Sequence, residues 1–232
     1  MIELHRVSTV YGSVPMLREV TLSVSEGEFV CALGPNGAGK STMFRAVTAL
    51  VRIVSGTLTI MGREVQNLKT ENIAALGVGL VPEGRRLFPQ LTVRENLKIG
   101  YDAVGGTGGL DKRLADMADL FPWMRDRLSQ AAGTLSGGEQ AMVALARALI
   151  GTPRLIIMDE PSLGLSPRLI DEYFKITSEI NRRGTTVLLI EQNAEMCLRI
   201  AHRGYFLVKG RIVAAGSAAD LMQSDEARRL YL

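Results

Sequence analysis

Residues 34–42, Gly-Pro-Asn-Gly-Ala-Gly-Lys-Ser-Thr, are the stretch that decides the fold of this chain. An apolar run at 29–33 leads into them, and a helix-compatible stretch follows from Thr42. A strand, a glycine-rich turn and a helix, in this order, form the context in which G-x-x-x-x-G-K-[ST] binds phosphate. The glycines permit positive φ, so that bare N–H groups can surround an anion at the positive end of a helix.

Two side chains of this phosphate loop have predicted roles. Lys40 can neutralise the β- and γ-phosphates of a nucleotide, and the Ser41 hydroxyl can ligate Mg²⁺. The alternative is a glycine-rich turn that only caps a helix, but the strand and helix around the motif favour nucleotide binding. The predicted nucleotide contacts in this loop are Gly34, Pro35, Asn36, Gly37, Ala38, Gly39, Lys40, Ser41 and Thr42.

The composition is that of a globular protein. The 232 residues, 47% of them apolar and 22% charged, suit one large domain with a substantial core. The net charge is only +3 and the basic residues are spread along the chain, so no nucleic-acid partner is expected. Cys31 and Cys197 lack the spacing of a metal site and are expected to be buried thiols. No signal peptide or spanning apolar run is evident, which indicates a cytoplasmic protein.

Alternating strands and helices around the phosphate loop predict an α/β fold with a mostly parallel sheet and a β-rich N-terminus. A group of helices with polar connections is predicted at roughly 84–134, as a helical subdomain of a single domain spanning 1–232. Strands are expected at 2–10, 17–24, 28–33, 56–62, 77–81, 155–158, 185–190, 205–208 and 211–215. Helices are expected at 41–50, 92–100, 110–120, 137–150, 167–183, 194–201 and 218–230.

Two carboxylates follow the apolar strand 155–158 directly. Ligands of open α/β sheets bind at the carboxyl ends of the strands, so Asp159 and Glu160 are placed near the phosphate loop. Asp159 can hold Mg²⁺ opposite Ser41, and Glu160 can polarise the water that attacks the γ-phosphate. A surface turn or a helix N-cap is the alternative for this pair.

The stretch 135–140, Leu-Ser-Gly-Gly-Glu-Gln, predicts a second anion site. Ser136 and Glu139 have the spacing of a capping box, which is the purely structural explanation. Two consecutive glycines weaken a helix start, however, and a serine hydroxyl with bare N–H groups at a helix N-terminus suits a phosphate. One chain cannot easily bring both sites to one γ-phosphate. The sequence therefore indicates a dimer with nucleotide at its interface.

The phosphate loop, the signature-like 135–140 and the strand with its carboxylates, in this order, closely resemble the ATP-binding subunits of ABC transporters. The resemblance spans the whole chain and implies an ATP hydrolase coupled to transport. It also implies an ABC ATPase fold, with a mostly parallel core sheet, an antiparallel β subdomain and an α-helical subdomain. Two such subunits bind two ATP molecules between them, each between one phosphate loop and the signature of the other subunit.

The resemblance also assigns site residues. By this likeness Tyr11 stacks on adenine, Ser136, Gly137, Gly138 and Glu139 belong to the signature that contacts the partner's ATP, and Asp159 holds the metal. Glu160 becomes the catalytic carboxylate.

Three positions depart from the family pattern. Glu83 replaces the usual glutamine that touches Mg²⁺ and the attacking water, and as a carboxylate it could also reach the metal. Ser166 replaces an aspartate, and Gln192 stands where the family has its switch histidine. An amide can hydrogen-bond a γ-phosphate but cannot become a cation or relay a proton as imidazole does. Slower turnover at this site is therefore expected.

The departures themselves narrow the resemblance to LivF-type subunits of branched-chain amino-acid importers. The segments that carry it are 81–97, VPEGRRLFPQLTVRENL; 160–167, EPSLGLSP; and 190–212, IEQNAEMCLRIAHRGYFLVKGRI. It implies a second ATPase subunit in a hetero- or homodimer and membrane permease subunits that dock on the helical subdomain. A periplasmic or lipid-anchored binding protein would act indirectly, and the chain would lie on the cytoplasmic face of the inner membrane. ATP and Mg²⁺ are the implied cofactors.

Other functions remain open at this point. Closely similar subunits serve urea and short-chain amide importers. A nucleotide-gated regulatory module with little hydrolysis of its own is the alternative from another class, and Glu83 and Gln192 are the residues in its favour. Phe88, Leu91 and Trp123 are candidates for the permease contact, with a place in the core as the alternative. A DNA-repair or chromosome-structure ATPase is disfavoured, because no sustained heptads separate the two motifs.

Overall fold

A computed structural model describes residues 1–224, and ten strands and eight α-helices lie in this range. The strands are β1 (Ile2–Tyr11), β2 (Val14–Val24), β3 (Phe29–Leu33), β4 (Ile53–Ile60), β5 (Arg63–Glu64), β6 (Val78–Val81), β7 (Leu155–Asp159), β8 (Thr186–Glu191), β9 (Arg203–Val208) and β10 (Arg211–Ser217). The helices are α1 (Lys40–Val47), α2 (Thr70–Ala75), α3 (Val93–Ala103), α4 (Leu110–Leu120), α5 (Gly137–Leu149), α6 (Pro167–Arg182), α7 (Ala194–Leu198) and α8 (Ala218–Gln223).

The central sheet has six strands in the spatial order β10-β9-β3-β8-β7-β6. Five of them run parallel, and only β10 pairs antiparallel, with β9. Every residue of β3, β7 and β8 is buried, as expected for strands covered on both faces. The mostly parallel core sheet predicted from the sequence is confirmed.

A second sheet is antiparallel and four-stranded, in the order β2-β1-β4-β5. It confirms the predicted β-rich N-terminus. β4 begins at Ile53, three residues earlier than the glycine-bounded strand predicted at 56–62. Gly56 lies inside the strand with φ +86°, where a Cβ atom would come within 2.4 Å of the Arg6 carbonyl oxygen. This glycine permits a close backbone approach within the sheet and does not mark a boundary.

Two hydrophobic cores lie on the two faces of the central sheet. Alternate residues of β3 divide between them: Phe29, Cys31 and Leu33 belong to the core that α5 and α6 cover, and Val30 and Ala32 belong to the core shared with α1 and the antiparallel sheet. The period of two along a strand explains this division. Both cysteines are buried and free, as predicted.

The helical part between β6 and β7 contains α3, α4 and two short 3₁₀ helices, Pro122–Arg127 and Ala132–Thr134. Asn96 of α3 is fully buried and holds the preceding loop. Its Oδ1 accepts from the Phe88 amide at 2.9 Å, and its Nδ2 donates to the carbonyl oxygens of Phe88, Leu91 and Thr92 at 3.0, 3.3 and 3.0 Å. Asn96 is therefore one of the side chains that hold the loop carrying Phe88; Arg147 also donates to the carbonyl oxygens of Arg85 and Arg86.

Some shorter elements differ from the sequence prediction. No element was predicted at α2 or β5, because a six-residue helix and a two-residue strand are too short for a periodic pattern. The helix predicted at 194–201 ends at Leu198, and the one predicted at 41–50 ends at Val47. The last predicted helix, 218–230, begins as expected at Ala218 but ends at Gln223, where Ser224 is extended; the predicted residues beyond 224 lie outside the described range.

Candidate functional site

The phosphate loop joins the end of β3 to the start of α1. Gly39 is the residue before the helix and has φ +108°, a left-handed conformation that favours glycine. Gly34 is restricted for a different reason: a Cβ atom there would lie 2.4 Å from the Leu207 carbonyl oxygen on β9. The local sequence thus fixes both the turn and its close packing against the sheet.

Lys40, the first residue of α1, is almost fully buried within this loop. Its Nζ donates to the carbonyl oxygens of Gly34 at 2.8 Å and Pro35 at 3.0 Å. Its third contact is the Oε1 of Glu160, at 3.1 Å. The ammonium group is thereby held at the centre of the loop, opposite a carboxylate that comes from a different strand.

That carboxylate follows the end of β7. Asp159 is the last residue of the strand, and Glu160 comes next with φ +43°, a left-handed conformation that is uncommon outside glycine. The Glu160 amide donates to the Ile190 carbonyl of β8 at 2.9 Å. Adjacent parallel strands therefore bring the carboxylates to the same sheet edge as the phosphate loop, as the sequence predicted.

Asp159 is a buried acid in an unfavourable setting. Burial, with the charges of Glu160 and Glu83 next in size, raises the pKa of its carboxyl to about 7, although Lys40 opposes the shift. Within residues 1–224, its Oδ1 is buried without a hydrogen-bond partner. A buried carboxylate oxygen with no partner is the kind of ligand that a divalent cation satisfies.

The arrangement fits a magnesium ion only together with a nucleotide. Within the described part of the chain, no three His, Cys, Asp or Glu side chains are grouped to hold a metal by themselves. Mg²⁺ characteristically binds through one or two carboxylates, waters and substrate phosphates. Asp159 and the Ser41 hydroxyl are chemically suited to supply the protein ligands of such an ion.

A cavity of about 450 Å³ brings the phosphate loop together with three other predicted site residues. Glu83, Glu160 and Gln192 line it with Asn36, Gly37, Gly39, Lys40, Ser41 and Thr42. Met16 and Leu163 also line it and were not predicted. No motif marks Met16 in the sequence, because the packing of β2 against the loop brings it there.

Some predicted residues lie elsewhere. Gly34, Pro35 and Ala38 belong to the loop but do not line the cavity; Gly34 and Pro35 contribute carbonyl oxygens to Lys40. Tyr11 ends β1 beside the turn to β2, and its side chain is 57% exposed outside the cavity lining. An exposed ring at this position is available for stacking on a flat ligand.

Ser136 and Glu139 form the capping box that the sequence offered as a structural explanation. The Ser136 hydroxyl accepts from the Glu139 amide at 3.3 Å, and the Glu139 carboxylate accepts from the Ser136 amide at 2.8 Å. Hydrogen bonding of the Glu139 carboxylate by the side chain and the backbone amide of Ser136 lowers the pKa of Glu139. Arg127 adds an ion pair to Glu139 at 2.9 Å.

The two glycines of this segment have different neighbours. A Cβ atom on Gly138 would lie 2.3 Å from a methyl carbon of Leu169, so close packing of α5 on α6 accounts for this glycine. Gly137 faces the guanidinium of Arg85, 3.0 Å from the position of a Cβ atom. Segment 136–139 lies outside the lining of the phosphate-loop cavity. The chain therefore carries the phosphate loop and the signature-like segment as separate sites.

The three candidates for a permease contact differ in exposure. Phe88 is 49% exposed, whereas Leu91 and Trp123 are partly buried, and Trp123 packs against the core that covers α5. A place in the hydrophobic core therefore fits Trp123 better than it fits Phe88.

A phosphate loop between β3 and α1, with carboxylates at the end of another parallel strand of the same sheet, defines a P-loop nucleoside triphosphatase. More specifically, the chain belongs to the ABC transporter family, whose model matches residues 17–163. It is the ATP-binding ATPase of an ABC transporter. Proteins of this family bind ATP as cassettes that dimerise and work with permeases.

Several related proteins match over nearly the whole length. The chain is 42% identical to the "High-affinity branched-chain amino acid transport ATP-binding protein BraG" of Pseudomonas aeruginosa, over 100% of this chain and 99% of that protein. It is 32% identical to a "Probable branched-chain amino acid transport ATP-binding protein LivF" of Archaeoglobus fulgidus, over 100% and 98%. A lipopolysaccharide export ATP-binding protein, LptB of Haemophilus influenzae, is 35% identical over 96% and 92%.

Solved structures confirm the ABC ATPase fold. An ATP-binding cassette of an ABC transporter superposes with a TM-score of 0.88 at 23% identity, covering 100% of this chain and 98% of that one. A dimeric cassette in a post-hydrolysis state, bound to ADP and Pi, has a TM-score of 0.84 at 26% identity, covering 94% and 99%. None of the helices within residues 1–224 is long and apolar enough to cross a membrane.

Proposed function

We propose that this ATPase powers the import of branched-chain amino acids. The observation that carries the proposal is the 42% identity, over the full length, to a protein named for branched-chain amino-acid transport. The likeness to LivF supports the same cargo, and the 35% likeness to a lipopolysaccharide exporter shows why the fold alone does not choose it. No residue of an ATP-binding subunit needs to touch the cargo, so the partner proteins determine it.

We propose that Lys40 and the amides of residues 37–42 bind the β- and γ-phosphates. The ammonium already lies at the centre of the loop, and the amides surround the start of α1. The ion pair with Glu160 places that carboxylate beside Lys40, where it can accept a proton from an attacking water. Tyr11 would stack on the adenine.

Asp159, Ser41 and Glu83 are the residues that we propose for Mg²⁺. When bound with ATP, the ion would neutralise charge on the β- and γ-phosphates. The unpartnered Oδ1 of Asp159 supports this assignment. Glu83 and Gln192 both line the cavity, so each can orient water or phosphate oxygens by hydrogen bonding.

Each nucleotide is proposed to be completed by a second ATPase subunit. Segment 136–139 lies outside the cavity of the phosphate loop, yet its serine hydroxyl and helix start suit a phosphate. A dimer that places each signature against the phosphate loop of the other subunit would use both. The dimeric cassette bound to ADP and Pi supports this arrangement. The partner subunit is a second copy or a related ATPase.

The helical part at about 84–134, within one domain spanning 1–232, is proposed to dock the permease subunits on the cytoplasmic face of the membrane. Phe88 supports this role because it is an exposed aromatic side chain on a loop that Asn96 holds rigidly. A substrate-binding protein would act on the permease and not on this chain. No nucleic-acid partner is proposed.

Measuring substrate uptake by cells tests which molecules the transporter carries. In a strain that lacks this gene, we expect uptake of labelled leucine, isoleucine and valine to be lost and to return with the wild-type gene. Lys40→Ala should fail to restore it because phosphate binding is lost. Phe88→Ala should lower uptake while leaving the ATPase activity of the purified chain intact.

Two alternatives predict other results. Unchanged leucine uptake with loss of urea or acetamide uptake would favour the related urea or short-chain amide importers. A purified wild-type chain that binds ATP without turning it over, alone and with its partner subunit, would favour a nucleotide-gated regulatory module.

A further inference from the structure

Glu191, the last residue of β8, is a buried carboxylate at the sheet edge that carries the site. Its side chain is only 3% exposed. Both of its oxygens accept backbone hydrogen bonds: Oε1 from the Ser162 amide and Oε2 from the Gln192 amide, each at 3.0 Å. It lies outside the lining of the phosphate-loop cavity, so it does not contact the proposed position of the nucleotide.

The surroundings of Glu191 make a carboxylate unfavourable there. Within residues 1–224 it forms no ion pair with Lys, Arg or His. Its neighbours on the facing helices are buried: Tyr173 of α6 and Cys197 of α7. Burial mainly raises the pKa of both groups; Cys31 adds to the shift of Cys197, and the charge of Glu191 has a smaller effect on each. A buried anion without a cation is costly unless hydrogen bonds satisfy it, so the two amides account for its presence.

The two amides belong to two different parts of the site. Ser162 begins the segment 162–166, which follows Glu160 and exposes the side chain of Leu163. Gln192 lines the phosphate-loop cavity, and by the sequence resemblance it stands where the family has its switch histidine. One carboxylate therefore connects the backbone that follows the catalytic glutamate to the backbone of the residue at the γ-phosphate.

We propose that Glu191 is a positioning residue that sets Gln192 relative to segment 162–166. This inference rests on the proposed role of Gln192 in ATP hydrolysis. Since each oxygen holds one segment, a shift of 162–166 is transmitted to Gln192 through a single rigid group. Leu163 lines the same cavity as Gln192, and 58% of its side chain is exposed, so this segment meets whatever approaches the site.

The Glu191→Gln substitution tests the link with minimal change of shape. The amide has one acceptor oxygen and one NH₂ donor, so only one of the two backbone N–H groups can keep its partner. Glu195→Gln is the matched control: it removes a carboxylate four residues away, exposed on α7 and paired with Arg199. The purified full-length chain is assayed for steady-state ATP hydrolysis with Mg²⁺ and for equilibrium binding of a fluorescent ATP analogue.

We expect Glu191→Gln to lower kcat about tenfold while KM and analogue affinity stay within about twofold, because positioning acts on the transition state more than on binding. Glu195→Gln should match the wild type. Glu191→Asp, which keeps both acceptors on a shorter side chain, should recover part of kcat. Combining Glu191→Gln with Gln192→Ala should lower kcat no further than Gln192→Ala alone, because the first residue acts through the second.

Three results would overturn the inference: an unchanged kcat in Glu191→Gln, fully additive effects in the double variant, or loss of kcat and analogue binding in parallel with a lower Tm. The last would assign Glu191 to structural support alone, as would failure of both Glu191→Gln and Glu191→Asp to fold. A wild-type chain that hydrolyses no ATP, either alone or with its partner subunit, would overturn the proposed function as well. An active wild type beside an unchanged Glu191→Gln variant would overturn this inference only.

Discussion

The ammonium of Lys40 and the carboxylate of Glu160 form an ion pair of 3.1 Å between the phosphate loop, which follows β3, and the end of β7, two strands away in the sheet. Lys40 is 3% exposed and Glu160 12%, so little water screens the pair. The group proposed to bind the γ-phosphate and the group proposed to activate water thus neutralise each other. Phosphate and Glu160 compete for the same ammonium group.

This competition predicts that Glu160→Gln separates binding from hydrolysis. With the carboxylate gone, Lys40 is free for phosphate and the repulsion between two anions is removed, so the affinity for ATP should rise about threefold or more. Hydrolysis should fall about 100-fold or more, because the general base is lost. Analogue titration and single-turnover hydrolysis measure the two effects.

A matched control for that variant is Glu26→Gln, which removes an exposed carboxylate paired with Arg154. It should behave as the wild type in both assays. Weaker ATP binding by Glu160→Gln would contradict the competition, and normal turnover would contradict the role of Glu160 as the base.

The raised pKa of Asp159 predicts that the stability of the folded chain depends on pH. Burial and nearby carboxylates raise its pKa from 3.8 to about 7 in the folded chain, so the protonated form is favoured by folding. The protonated Asp159 therefore adds to the free energy of unfolding. This addition is complete below about pH 4 and is lost as the pH rises through about 7, because the unfolded chain releases the proton more readily than the folded chain. Asp159→Asn should abolish this loss of stability at high pH, since a neutral amide carries no charge to desolvate.

Thermal unfolding with a chelator present measures this effect. Asp159→Asn should raise Tm by about 5 °C at pH 8 and by progressively less towards pH 4. Mg²⁺ with ATP should stabilise the wild type more than the variant, because the variant lacks the carboxylate ligand. A gain in Tm that does not depend on pH would contradict the assigned cause.

The role of Gln192 in turnover can be tested by replacing it with histidine, the residue that the family usually has there. Gln192→His supplies a group that can become a cation and relay a proton, so turnover should rise and acquire a pH dependence near the ordinary histidine pKa of about 6.5. Gln192→Ala should lower turnover about tenfold without weakening ATP binding, since one transition-state hydrogen bond is removed. Steady-state rates across the neutral pH range provide the comparison. Unchanged rates in both variants would remove Gln192 from the mechanism.

The hydrogen bonds of Asn96 link the stability of the fold to the position of Phe88, the proposed permease contact. Its buried amide makes four hydrogen bonds to the backbone of residues 88–92. Asn96→Ala would remove the acceptor of the Phe88 amide, while the carbonyl oxygens of Phe88, Leu91 and Thr92 would each keep a backbone hydrogen bond. The free energy of unfolding should fall by about 2–3 kcal/mol. Transport in cells should fall further than the ATPase activity of the purified chain, because Phe88 loses its fixed position.

Denaturant unfolding measures the loss, and Asn72→Ala on the exposed face of α2 is the control. A stable Asn96→Ala variant would show that the loop does not depend on this amide. Equal losses of transport and ATPase activity would separate Asn96 from docking.

Short-range patterns in the sequence were sufficient to predict much of the fold and of the candidate site. The phosphate loop 34–42, the carboxylates after strand 155–158 and the capping pair Ser136 and Glu139 are each marked by residues that lie close together in the sequence. Short-range patterns record such contacts, because helix starts and strand ends depend on neighbouring residues. The fold class followed from the alternation of strands and helices, and the short elements α2 and β5 were missed because no period develops in so few residues.

Only the tertiary structure decided how these pieces meet. The ion pair of Lys40 with Glu160 spans 120 positions in sequence, and Glu191 meets Ser162 only because β7 and β8 are neighbours in the sheet. Met16 reaches the cavity through the packing of β2, with no motif to mark it. Strand order sets these contacts, and it arises from the burial of whole sheet faces rather than from any local pattern.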